Sequence, residues 1–431
     1  MPRSFSFIHL ADTHLGLNWP VIPDIKRVQI PAYGKAFSYV VEKAIEYGVD
    51  FILHSGDFVE HPRPTIPALR RAIVELRRLK EEGIPFIVTR GTHDSSKEYF
   101  EKLGGDFLTV LEDDGKVIYV EYSRKRKYYD LKIGEDIVRI YGLGEYGIEQ
   151  RKILNEFLRS FSSGNTDFRI LLIHGGLIDR PYPVGGVLST ADLASLYRSG
   201  LINYIALGHD HQHFEYREFG IYNPGSTEFC SFKEASKIFY SFKDNELKEE
   251  KREIREKGFY LVEVDNGEVH AKFEKIPTRK IFDVIVRFNG ASPNEILEGM
   301  ILALERNAKD KNVILRPVIT GSLASGYRAY DLRLKDIQES VDALYVGWPV
   351  CSLEGITSPS TITLAKSYEP ILQEYFKRRG YNEESSKKLT QLTVQIVKGL
   401  NPSSEDKKEK EVRKKKVLKL IEDFELKEVK R

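Results

Sequence analysis

From residue 1 to about residue 240 the chain alternates short apolar runs with longer stretches in which apolar residues recur every three or four positions. FSFIHL, FILHS, PFIVTR, RILLI and YIAL have the length and composition of buried strands. Between the first two, KAFSYVVEKAIEYG (35–48) sets Phe37, Val40, Val41, Ala44 and Ile45 on one helical stripe. Between the second and third, TIPALRRAIVELRRLKEEG (65–83) repeats Leu69, Ile73, Leu76 and Leu79, with Pro67 in the first turn and Gly83 at the end. Strand–helix–strand alternation predicts a parallel or mixed sheet covered by helices. KVIYVEY, YDLKIG and IVRIYGLG read as strands of a second, more antiparallel sheet. The expected class is therefore α/β, a four-layer α/β/β/α sandwich.

The pattern then changes twice. GFYLVEVDNGEVHAKFEKI (258–276) predicts a hairpin turning at Asp265-Asn266-Gly267. Beyond Pro277, IFDVIVRF, VILRPVITG, YDLRL and ALYVG read as strands, and SPNEILEGMILALERNA as a helix capped by Ser292 with Pro293 at its first position. From Ser358 the pattern is helical without a core of its own, through 368–379, 385–400 and a highly charged last segment carrying Val417, Leu420, Ile421 and Phe424. A thin apolar stripe on a charged helix is the signature of a partner-binding face. The predicted division is 1–275, a small α+β domain over 276–357, and a helical tail over 358–431.

Composition narrows the class. A chain of 431 residues fits two or three domains. No run of about 18 uncharged apolar residues occurs, so a helical membrane span is not expected, and the amino end lacks a signal-peptide pattern. Cys230 and Cys351 are the only cysteines, which argues against a disulfide framework and against thiolate zinc ligation. A reducing, cytoplasmic setting is expected. The net charge of +2 gives no global case for nucleic acid, although Arg70-Arg71, Arg77-Arg78-Lys80 and the 124–127 run are local basic stretches.

The chemistry lies where the five strands end. They run into Asp12-Thr13-His14, Gly56-Asp57, Gly91-Thr92-His93-Asp94, His174-Gly175-Gly176 and Gly208-His209-Asp210-His211. Ligands at the carboxyl ends of strands in one sheet converge, because neighbouring strands lie about 4.8 Å apart. Mixed carboxylates and imidazoles suit manganese, iron or zinc, and a pair of such ions with a water between them suits attack on phosphorus. Asp57 can bridge two cations, and the two-residue spacing of His209 and His211 lets one serve each. His54, inside a strand, reads as a core residue, and His213 as lying just outside the ligand set. This is the pattern of a binuclear-metal phosphoesterase.

The ordered motifs resemble the calcineurin-like metallophosphoesterase superfamily over roughly residues 5–230. Within it, IHLADTHLG, SGDFVEHPRPTIPALRRAI and YNPGST resemble the DNA double-strand-break repair nucleases of the SbcD or Mre-eleven type, whose layout also has a capping domain and a helical tail. The resemblance implies two divalent cations per subunit, most often Mn2+. Asp12, His14 and His211 would hold the first, His174 and His209 the second, and Asp57 both. His93 would stabilise the transition state and protonate the leaving oxygen, with Asp94 orienting it. The resemblance further implies 3′-to-5′ exonuclease and single-strand endonuclease activity on DNA ends, duplex and single-stranded. It implies an SMC-like coiled-coil ATPase partner bound through 358–431 near Leu420 and Phe424, and a homodimer. The stripe Leu69, Ile73, Leu76 and Leu79 is either a dimer face or ordinary core.

Two departures stand out. Thr92 replaces the family's asparagine ligand to the second metal, and Glu60, followed by His61, replaces a histidine linked to exonucleolytic handling. Two alternative readings are a phosphodiesterase acting on a non-DNA substrate and a DNA-binding scaffold with weakened catalysis.

Overall fold

The computed structural model describes residues 4–17, 34–94, 105–124, 126–159, 166–180, 188–354, 373 and 382–400. The expected helix at 368–379 and the last charged segment, with Leu420 and Phe424, lie outside these residues apart from 373. The chain falls into two compact units, one of 1–287, 297–318 and 334–350, the other of 288–296, 319–333 and 351–431.

In the first unit, β1 (Phe5–Leu10), β2 (Phe51–His54), β3 (Phe86–Val88) and β4 (Ile118–Tyr119) pair in parallel in that order. Helix α1 (Lys35–Tyr47) ends at Gly48 with φ 61°, a left-handed position that favours glycine. Helix α2 (Ile66–Glu81) starts at Thr65, whose hydroxyl accepts from the Ala68 N–H. These two and α3 (Phe107–Asp113) cover one face of the sheet. Side chains alternate across the strands: Ile8, Leu10 and Ile52 meet the helices, while Phe5, Phe7, Phe51 and Leu53 face the other way. Phe37, Val40, Val41 and Ala44 are buried, as the stripe requires. Leu76 and Leu79 are also buried, and Leu69 and Ile73 pack on the same core. The α2 stripe is thus core, and that face is not free for a dimer.

The second sheet begins with β5 (Tyr128–Ile133) and β6 (Asp136–Leu143), an antiparallel pair. It continues in parallel through β7 (Phe168–His174) and β8 (Tyr204–Gly208), with β9 (Phe214–Tyr216) antiparallel to β10 (Ile221–Asn223) at the far edge. Helices α4 (Gln150–Arg159) and α5 (Thr190–Arg198) cross over between β6, β7 and β8 and pack on its outer face. A helical crossover returns the next strand in parallel. The expected antiparallel character therefore survives only at the edges, and the KVIYVEY strand, β4, belongs to the first sheet. The inner faces of the two sheets share one core, with Phe7, Phe51, Phe168 and Tyr204 at its centre. The layer order is helix, sheet, sheet, helix.

Strands β11 (Ser236–Lys243) and β12 (Glu246–Glu253) form a hairpin in a third sheet. The hairpin β13 (Gly258–Asp265) and β14 (Glu268–Lys275) returns to the first sheet, where β13 lies antiparallel to β1. The third sheet is completed by β15 (Ile281–Ala291), β16 (Ile314–Leu323), β17 (Tyr345–Val346) and β18 (Val350–Glu354), with α6 (Pro293–Asn307) between β15 and β16. YDLRL, expected as a strand, is a 3-10 turn leading into α7 (Leu334–Gln338). Helix α8 (Glu383–Leu400) covers the expected 385–400 segment. Among the described residues, no helix is long and apolar enough to cross a membrane.

Candidate metal centre

The ligand-bearing loops leave two sheets rather than one. Asp12, Asp57 and His93 follow β1, β2 and β3 of the first sheet, while His174 ends β7 and His209 follows β8 of the second. The expectation of a single sheet fails because the ligands divide between parallel sets stacked face to face, whose carboxyl ends meet at one edge. Backbone bonds lock the loops together: Asp12 N–H donates to Gly56 O, and His14 N–H to Asp57 O, both at 3.0 Å. Four ligand candidates occupy left-handed backbone conformations, with φ of 50° at Asp12, 46° at His14, 56° at Asp57 and 94° at His209. Such angles cost about 1–3 kcal/mol each and persist where the surroundings over-determine them, typically at functional sites. Gly91 shows how tight the packing is, since a Cβ there would lie 2.1 Å from Asp57 Oδ1.

Two ligand groups meet at Asp57. Asp12, Asp57 and His174 are buried, with one donor atom each inside a mutual 4.8 Å. His14, His211 and Cys230 form a second such group, and His14, Glu60 and His93 a third. Asp57 Oδ2 lies 3.4 Å from His174 Nε2 and 3.8 Å from His14 Nε2, so one carboxylate reaches both sides. His209 joins through Nδ1, 3.3 Å from His174 Nε2, while its N–H donates to both Asp12 oxygens at 3.1 and 2.9 Å.

The imidazoles are held by their Nδ1 atoms. His174 Nδ1 donates to Ser55 O at 2.7 Å, His14 Nδ1 pairs with Glu60 Oε2 at 2.8 Å, and His211 Nδ1 with Glu234 Oε1 at 3.0 Å. Carbonyls and carboxylates only accept, so each Nδ1 carries a hydrogen, and each Nε2 presents a lone pair when its ring is neutral. That leaves His14 Nε2 and His211 Nε2 facing each other at 3.1 Å. Two lone pairs at that distance repel unless a proton or a cation lies between them. The donor set therefore fits divalent cations. Burial opposes charge at both Asp57 and His174, yet their pairing outweighs it, holding Asp57 far below the usual carboxylate range and raising His174 to about 9.

His93 is half-exposed, and its Nδ1 donates to Glu60 O at 2.9 Å, which frees Nε2 for proton exchange. Asp94 does not take the orienting role expected of it. Its carboxylate accepts from the N–H groups of Val59 and Gly91 at 2.9 and 2.8 Å, bracing the two loops. Burial, followed by the nearby charge of Asp57, raises the Asp94 carboxyl to about 7. The Thr92 side chain is exposed. His54 is buried against Thr13, and burial depresses it to about 3. His213 stacks on Phe273 with ring centroids 4.1 Å apart.

Several residues at the site carried no sequence signal. Glu234 holds His211 and is itself held by the Lys257 ammonium at 2.6 Å. Lys257 spends its other two hydrogens on His211 O and Ser226 Oγ, at 2.9 and 2.6 Å. Cys230 enters a ligand group although thiolate ligation was not expected. A cavity of about 750 Å³ opens over His14, His93 and His211, and Arg180, Arg255 and Arg316 also line it.

The layers and the two-sided carboxylate site define a class, the phosphoester hydrolases with a metal centre. Residues 5–213 match the calcineurin-like phosphoesterase family, and the chain carries a metallophosphoesterase domain of that family. Two of its curated relatives are archaeal proteins of the same name. The chain is 28% identical to the DNA double-strand break repair protein Mre11 of Methanocaldococcus jannaschii, over 87% of this chain and 90% of that one. It is 33% identical to the protein of the same name from Sulfurisphaera tokodaii over 47% of this chain and 48% of that one. A third similarity, 26% over 64% of this chain and 61% of that one, is to an uncharacterized metallophosphoesterase, YhaO, of Bacillus subtilis.

Proposed function

We propose that the protein is a DNA nuclease acting in double-strand break repair, a phosphodiesterase using two divalent cations, Mn2+ in the first place. The observation that carries this reading is Asp57, whose carboxylate lies between a buried Asp12–His174 group and the His14–His211 group lining the cavity. Bound cations would supply an acidified water and neutralise charge on the phosphate oxygens. Asp12, His14 and His211 would hold one, His174 and His209 the other, with Thr92 acting there at most through its short hydroxyl. Hydrolysis adds water across the P–O3′ bond and leaves the phosphate on the 5′ side of the released nucleotide. His93 would give the departing O3′ its proton from Nε2, since Glu60 O fixes the hydrogen on Nδ1. Arg180, Arg255 and Arg316 at the cavity would hold backbone phosphates, so binding should weaken steeply with salt.

The relatives' names support DNA ends as substrate, both duplex and single-stranded. From the same likeness we take 3′-to-5′ exonuclease and single-strand endonuclease activity, a DNA-capping role for 276–357, an SMC-like ATPase bound by 358–431, and a homodimer. The test is manganese-dependent cutting of 3′-labelled duplex and circular single-stranded DNA, beside a cyclic nucleotide. Degradation of the DNA from its 3′ end supports the reading. Rapid hydrolysis of the cyclic nucleotide with the DNA untouched would overturn it.

A further inference from the structure

Cys230 lies where a metal ligand would. Its sulfur and one nitrogen each of His14 and His211 are within 4.8 Å of one another. Because both Nδ1 atoms are tied to carboxylates, the nitrogens available are the two Nε2 atoms. In a tetrahedral zinc site, bonds of about 2.0–2.3 Å put ligand atoms roughly 3.4–3.7 Å apart. The 3.1 Å between the two Nε2 atoms is close to that spacing, and the sulfur lies within 4.8 Å of a nitrogen of each ring. The thiol contacts Glu228 O at 3.5 Å and hydrogen-bonds the His211 side chain, its neighbour in the ligand group.

The support behind the sulfur is shared with the imidazole. Glu234 accepts from Cys230 N–H at 3.2 Å through Oε2 and holds His211 Nδ1 at 3.0 Å through Oε1. Lys257 fixes Oε2 at 2.6 Å. One buried, ion-paired carboxylate thus positions two candidate ligands at once, as carboxylates behind metal-binding histidines do. Both Cys230 and His211 line the cavity, so a cation can reach them.

We propose that Cys230 is a sulfur ligand of the cation held by His14 and His211, and that it biases this position toward zinc-class cations over manganese and magnesium. The proposal rests on the two-cation reading above. A thiolate is soft and favours zinc or cobalt, whereas manganese and magnesium favour oxygen donors. On coordination the thiol proton leaves to solvent and the sulfur lone pair enters the metal bond. The other position, at Asp57 and His174, has no sulfur among its described donors and keeps the harder character.

Cobalt(II) makes the sulfur visible. The full chain carrying Cys351→Ser, with Cys230 its one thiol, is titrated with Co2+ and followed by absorption. The expected result is visible d–d bands together with a near-ultraviolet sulfur-to-cobalt charge-transfer band. Adding Cys230→Ser should remove the second band, keep the first, and lower the preference for zinc over manganese in competition. A Cys351→Ser chain showing d–d bands alone would overturn the sulfur ligand and leave the two-cation reading standing. Absence of any cobalt band would overturn both.

Discussion

The two sides of the centre, joined at Asp57, are built differently. On the side of Asp57 and His174 these two residues are sealed, with relative exposures of 3% and 0%, while His209 reaches the cavity. Its candidate ligands sit at or just after strand ends, Asp57 and His209 in left-handed turns of the kind His14 also adopts. The His14–His211–Cys230 side opens on the cavity, and side-chain carboxylates, Glu60 and Glu234, fix its imidazoles. A more enclosed site without sulfur retains a cation through charge in a low dielectric. An open one with a soft donor selects and exchanges. We take the difference to divide the work: the sealed side anchors, while the open side meets substrate beside His93.

The largest way to break the comparison is to remove what joins the sides. Asp57→Asn should lower phosphodiester hydrolysis by at least about a thousandfold, since several kcal/mol of transition-state charge stabilisation go with the cations. Initial rates on labelled DNA at saturating manganese check this. His93→Ala leaves both sides intact and removes only the proton donor. It should cost about 10²–10⁴ in kcat, with metal affinity and KM little changed. Steady-state kinetics separate the two parameters, and a rise in KM alone would contradict the assignment.

Glu234→Ala sharpens the contrast, because it acts on the open side only. Weakening of manganese or zinc binding there by about 10–100-fold is expected. The variant also strands the Lys257 ammonium, 3% exposed, without its ion partner. Loss of one member of a buried pair costs about 3–5 kcal/mol, readable as a lowered denaturant midpoint. Thr92→Asn, on the His174 side, should have the smallest effect: a modest gain in affinity for the second cation, from an amide oxygen that reaches further than the hydroxyl. Unchanged calorimetric affinity would mean that position 92, whose side chain is exposed, does not face that cation.

The same division explains what could be read from the sequence. Asp12, Asp57, His93, His174 and His209 could be named as candidates because each lies at or just past the end of an apolar strand, and strand ends are where parallel sheets expose chemistry. That the strands belong to two sheets was not legible, since pairing such as His174 beside Gly208 depends on long-range register. Cys230 lies just before a 3-10 turn that Glu234 ends, and Lys257 precedes β13 far along the chain. No local pattern marks them as neighbours of His211. Asp94 was misread for the opposite reason: its adjacency to His93 suggested a partnership, whereas its oxygens turn to the Val59 and Gly91 amides. The α1 and α2 stripes were clear because helical periodicity reports burial directly.

The central claim is that one carboxylate joins two cation positions of unlike character. Calorimetric titration of the metal-free chain with Mn2+, with Asp57→Asn beside it, tests this most directly. The account predicts two ions per chain, resolved as two affinities, and loss of at least one in the variant. A stoichiometry of one or none in the unaltered chain, or two ions still bound after Asp57→Asn, would contradict it.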